Sequence, residues 1–392
     1  MKKILTAILL ILTATTITSC LQESEGTVTL EIKFNLPEGD NIPNIDLREI
    51  QVKLQNKNAP FNYISNLNKE GKVIYTVLPG KYDIVASAYD KSTRTAINAS
   101  IPEFILTESI QLEKTLTIAT PNPLIIRELY FHGSKTNEGE SYGKDTYVEL
   151  YNNGGPNGQT IYLDSICIAG VYPYNSTAKS TSWIGKDTIA IDNMFWMFPG
   201  NGHSHPLHPG ESCVVAIRAA VDHSDRATSK LKLHKAHFGC ASDALTNQQE
   251  IAAGVERMIC YMTGQGTAWA FSINSPAFIV FKPEMGADKY MESGSFWQQY
   301  EPGQKSGKRY WHIAKEWIFD GVECFVNDNS GIKRLPGDID ASYARMKSPS
   351  NSGKCITRKI DFTEDGIEIF MDTNNSSNDF NTDCVPNPRL KN

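Results

Sequence analysis

The segment DTYVELYNNG, residues 145–154, carries the clearest structural pattern in this chain. It holds a run of β-branched and aromatic residues that favours a strand, and it closes on residues typical of a turn. An earlier run, LIIRELY at 124–130, and a later one, IYLDSICI at 161–168, have the same character. The three runs are separated by polar segments, so they predict neighbouring strands of a β domain that begins near Leu124.

Upstream of this region the sequence predicts a separate β domain. Val28, Leu30, Ile32 and Phe34 alternate with polar residues, which is the period of a half-buried strand. The segment TPNP at 120–123 holds two prolines and cannot continue a central strand. We therefore place the first domain at residues 27–120 and the second at residues 121–392.

Composition and charge exclude several classes of protein. The 392 residues include 38 basic and 44 acidic side chains, a formal net charge of −6, so nothing favours nucleic acid as a partner. Sixteen Tyr, 16 Phe, 28 Gly and 19 Pro favour strands with frequent turns over a helical solenoid or a multi-span membrane protein. We expect a mainly β protein with two Ig-like β-sandwich domains in tandem. The second domain would carry long insertions, at about residues 222–355, with a few short helices, one of them within 246–261.

The first 26 residues predict export and a lipid anchor. Two lysines precede an apolar run at 4–12, which is about half the ~20 residues that a spanning helix needs. The segment ITSC at 17–20 resembles the lipobox of bacterial lipoproteins. That resemblance implies a signal peptide at 1–19 and lipidation (palmitate or a similar acyl chain) of Cys20. The acidic tether at 20–26 resembles export signals of surface-exposed lipoproteins, which implies an outer-membrane protein facing the cell exterior. The alternatives are an ordinary secretory signal and a periplasm-facing anchor.

Several segments of the second domain are similar to the lamin-tail domain. They are the runs at 145–154 and 161–168, HPGESCVVA at 208–216, DTNNSSNDF at 372–380 and PNPR at 386–389. The complete order, lipobox first, resembles an uncharacterised bacterial lipoprotein family with a DUF4876-type domain. The turn LPGKYDI at 78–84 resembles carboxypeptidase-regulatory and prealbumin-like sandwiches. This second resemblance implies a seven-strand first domain without catalytic residues.

Aromatic residues in the long insertion are the main candidates for a ligand site. They are Trp297, Tyr300, Tyr310, Trp311 and Trp317. Tyrosine and tryptophan offer flat apolar faces with a polar edge, which suit sugars, cofactor rings or protein partners. The alternative has equal weight: the tryptophans build the core that so large an insertion requires.

Two groups of side chains are weaker candidates for metal ions. Three imidazoles within six positions could bind a transition metal, although the surrounding prolines and glycines favour an exposed turn. These are His203, His205 and His208. Four oxygen-bearing side chains could bind calcium, although the EF-hand pattern is not met and a self-bonded turn is favoured. These are Asp372, Asn374, Asn378 and Asp379. No cofactor is therefore assigned.

Glu128 and Glu149 lie on neighbouring predicted strands, where two carboxylates could serve acid–base chemistry. We favour surface ion pairs with Arg127 or Lys144. Thr188, within the tripeptide Asp-Thr-Ile, fits a short O-glycosylation pattern of exported proteins.

The cysteines predict core thiols more than a disulfide framework. Seven remain after Cys20, so at least one is unpaired, and none lies in a CxxC pair. The pairs Cys355–Cys384 and Cys240–Cys260 stay open as disulfides.

These features favour a non-enzymatic, surface-exposed lipoprotein that binds a ligand or a partner protein. No GxSxG elbow, P-loop or HExxH motif is present. By analogy with similar lipoproteins, the partner would be an outer-membrane transporter in TonB-dependent uptake. The chain would then be a monomer or part of a hetero-complex, held at the membrane through its lipid alone. The alternatives are capture of metal or haem by the histidines, and a glycan-acting hydrolase.

Overall fold

The computed structural model describes residues 26–38, 45–119, 121–176, 187–245, 250–262, 271–326 and 331–392. The predicted signal peptide, Cys20 and most of the tether lie outside these ranges. Within them, no helix has the length and apolar character needed to cross a bilayer.

The described part of the first domain forms eight strands in two sheets, one more than the seven expected. The strands are β1 (Val28–Asn35), β2 (Gln51–Asn56), β3 (Asn62–Asn66), β4 (Lys72–Val77), β5 (Gly80–Asp90), β6 (Thr95–Leu106), β7 (Ile110–Thr115) and β8 (Thr117–Ala119). One sheet has the order β4-β1-β7 and the other the order β3-β2-β5-β6-β8. Leu30, Ile32, Val52 and Ile84 are buried in the core that both sheets share, as the alternating pattern predicts.

The second domain is built on two larger sheets. Its strands are β9 (Leu124–Tyr130), β10 (Ser134–Lys135), β11 (Ser141–Tyr142), β12 (Tyr147–Asn152), β13 (Ile161–Tyr162), β14 (Cys167–Val171), β15 (Thr188–Met197), β16 (Pro206–Leu207), β17 (Ser212–Ala216), β18 (Phe238–Gly239), β19 (Glu256–Arg257), β20 (Ile259–Met262), β21 (Ala277–Phe281), β22 (Gln298–Tyr300), β23 (Arg309–Ala314), β24 (Ile318–Phe325), β25 (Ala344–Arg345), β26 (Cys355–Arg358), β27 (Ile360–Glu364), β28 (Ile367–Phe370) and β29 (Phe380–Cys384). The first sheet has the order β19-β18-β17-β12-β9-β26-β29. The second has the order β22-β23-β15-β14-β21-β24-β25, with β20 also paired to β15.

The two large sheets pack face to face. Val148 and Leu150 of the first sheet share a buried cluster with Ile168, Phe278 and Val322 of the second. Such shared burial from both sheets is the defining feature of a sandwich. The fold is therefore mainly β, with β-sandwich domains, as the sequence predicts.

The outer faces of this sandwich are covered as well. Three short α-helices occur among the described residues: α1 (Ala287–Glu292), α2 (Gly294–Trp297) and α3 (Ser376–Asp379). Short 3-10 turns lie at Leu47–Glu49, Leu233–Lys235 and Lys315–Trp317. Tyr290 of α1 packs on the outer face of the second sheet, and Leu233 and Leu390 lie on the outer face of the first.

The span between residues 222 and 355 does more than carry insertions. Strands β21 and β24 are interior strands of the second sheet and are mostly buried, so this span supplies part of the sandwich. The prediction of a helix within 246–261 is wrong for its described part, because residues 256–257 and 259–262 are strands that pair with β18 and β15.

Polar side chains join the two domains. Lys57 of the first domain donates to the carbonyl of Gly331 at 2.6 Å. Asn98 donates to the carbonyl of Thr373 at 2.6 Å, and Tyr89 to the carboxylate of Asp361 at 2.7 Å. The two sandwiches are therefore held together by several buried or half-buried hydrogen bonds.

Candidate functional site

The aromatic residues that the sequence groups together do not form one surface. Trp317 is buried, and Trp297 and Trp311 pack against the same core cluster. Tyr290 lies between them, with ring centroids 5.7 Å from Trp297, 5.1 Å from Trp311 and 5.9 Å from Trp317. The three tryptophans therefore hold α1 and α2 against the second sheet.

The two tyrosines lie on opposite faces of the β22–β23 hairpin. Tyr300 pairs with Arg309 and Gln299 pairs with Tyr310, so consecutive positions place the two rings on different sides. The Arg309 guanidinium lies 5.5 Å from the Tyr300 ring, whereas the Tyr310 ring packs at a tilt against Tyr172 with centroids 4.1 Å apart. The hairpin thus offers two small separate aromatic faces.

The three imidazoles of the histidine loop, residues 202–210, also have separate neighbours. His203 packs on the ring of Tyr162, and His208 Nδ1 lies 3.0 Å from the hydroxyl of Thr160. His205 Nε2 lies 3.0 Å from a carboxylate oxygen of Glu256. Within the described ranges, no group of three or more His, Cys, Asp or Glu side chains is arranged to hold a metal ion.

One histidine of the loop borders an open cleft of about 580 Å³. The cleft lies between residues 204–207 and the last residues of the chain, 389–392, and we call it the C-terminal cleft. Its floor is apolar, with Leu163, Leu207 and Phe238 almost fully buried. Its walls are polar, and they include His205, His237, Glu256, Arg389 and Lys391. An apolar floor with a few convergent polar groups is the usual composition of a small-ligand site.

His237 lines this cleft, and one hydrogen bond fixes the position of its ring proton. Its Nδ1 accepts the backbone N–H of Val214 at 3.0 Å, so the neutral ring carries its proton on Nε2. Burial, together with the charge of Lys391, lowers the pKa of His237 to about 4. The ring is therefore neutral at physiological pH, and its Nε2–H can donate to a ligand oxygen.

We expect the chemical shifts of the His237 ring protons to change with a midpoint near pH 4, well below the pKa of about 6.5 of an ordinary histidine. The chemical shift should stay constant from pH 6 to 8 in NMR spectra. Lys391→Met should raise this pKa, because the lysine charge opposes protonation. A midpoint near 6.5 in the unmodified chain would contradict the assignment of a neutral ring.

The C-terminal residues also cover two buried carboxylates, which corrects the prediction of surface ion pairs. Glu128 and Glu149 are directly opposed on β9 and β12, and both are fully buried. Arg127 donates to Glu149 at 2.6 Å, in line with one predicted pairing. The backbone N–H groups of Asn387 and Arg389 donate to Glu128 and Glu149 at 2.9 and 3.3 Å. These carboxylates fix the position of the tail that forms one wall of the cleft.

Two of the four residues proposed for calcium lie beside an arginine. Asp372 and Asp379 lie 3.1 and 3.5 Å from Arg358 Nη1. Asn374 and Asn378 donate elsewhere, to the Asp338 carbonyl and the Ser87 hydroxyl. The Arg358 guanidinium therefore lies beside the two carboxylates that the sequence suggests as calcium ligands.

The proposed glycosylation position and the cysteines have ordinary structural neighbours. Thr188 begins β15, and its hydroxyl lies 2.8 Å from His312 Nδ1. All seven cysteines beyond Cys20 are free thiols, as the sequence favours, and five of them are buried.

Sequence reasoning missed His237, Arg389 and Lys391 as members of one site. The sequence signals were a His-x-x-His spacing at 234–237 and the segment PNPR at 386–389, and neither indicates a cleft. The site comes together only because residues about 150 positions apart meet across the first sheet, as the contact of Lys391 Nζ with the His237 carbonyl shows.

A family model and solved structures provide the comparison with known proteins. The model of DUF4876, a protein family of unknown function, matches residues 208–387, which include His237 and Glu256 of the cleft but not its C-terminal wall. Residues 208–387 belong to the DUF4876 family. A crystal structure of a DUF4876 family protein from Bacteroides thetaiotaomicron is similar over 92% of this chain and 96% of that one, with 25% identity and a TM-score of 0.60. No curated protein matches the chain.

A second structure, of a putative adhesin from Bacteroides ovatus, covers 38% of this chain and 55% of that one. Its identity is 13% and its TM-score 0.21, which do not indicate a shared fold. The DUF4876 assignment therefore depends on the family model and the first structure.

Proposed function

We propose that this DUF4876 protein is a non-enzymatic binding lipoprotein whose ligand site is the C-terminal cleft. The observation that carries the proposal is the cleft itself, with its buried apolar floor and the Nε2–H of a neutral His237 at its wall. A volume of about 580 Å³ is within the range of small-molecule sites.

The remainder of the proposal concerns location and partner. Lipidation of Cys20 would anchor the chain in the outer membrane, and the acidic tether supports exposure at the cell exterior. The bound ligand would pass to an outer-membrane transporter of the TonB-dependent type, which should then co-purify with the lipoprotein. The tandem sandwiches suit this role, because the first would hold the cleft-bearing second domain away from the lipid.

The aromatic residues between 297 and 317 are less suited to be the main site. The three tryptophans pack in or against the core, and the two tyrosines lie on different sides of the β22–β23 hairpin. A single ligand would not contact both rings from one side of the sheet.

The test is a binding comparison between two tryptophan variants. Glu256→Trp should narrow the cleft, since the Glu256 side chain is 49% exposed at the wall and bonds only to His205 in the region described. Glu284→Trp is the matched control, because Glu284 is exposed outside the cleft. We expect sugars, amino acids or organic acids that give saturation-transfer NMR signals with the unmodified chain to lose them with Glu256→Trp alone. Equal signals from both variants, or no binder in such a set, would count against the proposal.

A further inference from the structure

Two cysteines lie opposite each other at one edge of the first sheet. Cys355 of β26 and Cys384 of β29 are direct partners in an antiparallel pair, and both are free thiols. Opposed residues in antiparallel strands have Cα atoms about 4.5 or 5.5 Å apart. A disulfide requires roughly 4.4–6.8 Å between these atoms, so the backbone already provides the necessary separation.

The two sulfur atoms also share one side of the sheet. Cys355 belongs to the buried cluster on the outer face, and Cys384 packs against that same cluster. Cys355 Sγ lies 3.6 Å from Thr357 Oγ1, and the sulfur of Cys384 points past the Thr382 carbonyl at 3.8 Å. Neither thiol is turned away into the core between the two sheets.

The other five thiols are not paired in this way. Where the structure gives the register of their strands, Cys167, Cys213, Cys260 and Cys324 are opposed by residues other than cysteine. Cys240 and Cys260 share one neighbourhood, but no strand register places them opposite each other. The geometry therefore distinguishes one pair among the alternatives that the sequence leaves open.

We propose that Cys355 and Cys384 are a modification site and form a disulfide when the exported chain meets a disulfide oxidant. The thiolate of Cys384, which is partly exposed, attacks one sulfur of the oxidant and releases its other sulfur as a thiol. Cys355 then attacks the mixed disulfide and releases the second thiol. Two chain thiols and one oxidant disulfide thus give one chain disulfide and two oxidant thiols, with protons and electrons balanced.

The bond would fix the edge strand from which the C-terminal tail departs. Residues 385–392 follow β29 directly, cross the outer face and form a wall of the cleft. Linking β29 to β26 should therefore hold the start of that wall in place, because the bond ties Cys384, the last residue before the tail, to the neighbouring strand. This role is independent of which ligand the cleft binds.

Peptide mapping of the full, folded chain tests the proposal with oxidised glutathione as the oxidant. Cleavage after Lys354, Arg358, Lys359 and Arg389 separates the two cysteines onto fragments 355–358 and 360–389, which contain no other cysteine. We expect these fragments to be recovered as one linked species that lacks two hydrogen atoms and separates on reduction. The reaction should accelerate from pH 7 to 9, because burial raises the pKa of both thiols.

Variants make the assignment specific. Cys384→Ser should abolish the linked species, whereas Cys240→Ser, the matched control, should leave it unchanged. Recovery of fragment 355–358 only as a free thiol or as a glutathione adduct would overturn the proposal. A link between Cys240 and Cys260 in its place would overturn it as well. Because the mapping uses the unmodified chain, the result does not depend on a variant that folds poorly.

Discussion

Replacing Arg358 with methionine is expected to lower the free energy of unfolding by about 3–5 kcal/mol, because it leaves several buried carboxylates without their cation. Arg358 Nη2 lies 2.6 Å from Asp320, and Nη1 lies 3.1 Å from Asp372 and 3.5 Å from Asp379. The guanidinium also donates to the carbonyls of Ile126 and Met371 at 2.9 and 2.8 Å. Urea titration of the unmodified and variant chains measures this difference.

The loss should be larger at pH 8 than at pH 5. Burial raises the pKa of Asp320 and of Asp379 to about 6, against an ordinary value of 3.8. A folded-state pKa above the unfolded value means that the folded chain binds more protons between pH 4 and 6, so ionisation above pH 6 costs stability. Without Arg358 this cost increases, and acid relieves part of it by neutralising the carboxylates.

Arg226→Met is the control for the removal of one arginine. Arg226 pairs with Glu250, but its side chain is 47% exposed, so the expected change is only about 0–1 kcal/mol. Equal effects of the two substitutions would contradict the view that the Arg358 cluster stabilises the second domain. A loss that does not depend on pH would contradict the role of the aspartates.

Strands whose residues alternate between apolar and polar could be predicted from the sequence. Strands that are buried on both faces could not. Strand β1 alternates because one face packs in the core and the other meets water. Strand β21, AFIVF, is buried at all five positions, so its sequence has no period that separates it from a buried loop or helix. For this reason the span from 222 to 355 resembles an insertion in sequence although it completes the second sheet.

The candidate site was less predictable than the fold. His205 could be selected from the histidine loop, but its neighbours Glu256 and His237 approach through pairings of short two-residue strands that leave no pattern in sequence. The aromatic residues between 297 and 317 also do not indicate a site by their sequence alone. Trp297 and Trp311 are near in sequence and in space, yet what brings them together is burial around Tyr290. Sequence proximity of aromatic residues does not distinguish a core from a binding surface.

Replacing Lys57 with methionine is expected to weaken the contact between the two sandwiches. Lys57 is only 3% exposed, and its ammonium lies 3.0 Å from Asp83 and 3.6 Å from Glu103 within the first domain. The same group donates to the Gly331 carbonyl at 2.6 Å and lies 5.6 Å from the Phe325 ring of the second domain. Because one cation serves both domains, its loss should reduce the free energy of unfolding by about 3 kcal/mol.

Calorimetry distinguishes this effect from a general loss of stability. We expect the unfolding transition of the first domain to move to lower temperature and to separate from that of the second, since the shared contact couples them. Lys72→Met is the matched control, because Lys72 pairs with Glu31 on the surface of the same domain, where solvent screens the pair and the transition temperatures should stay nearly unchanged. The double variant Lys57→Met, Asp83→Leu should recover part of the loss, because it removes the carboxylate that the single variant leaves buried and unpaired. A double variant no more stable than Lys57→Met alone would show that the unpaired Asp83 carboxylate is not the cause of the loss.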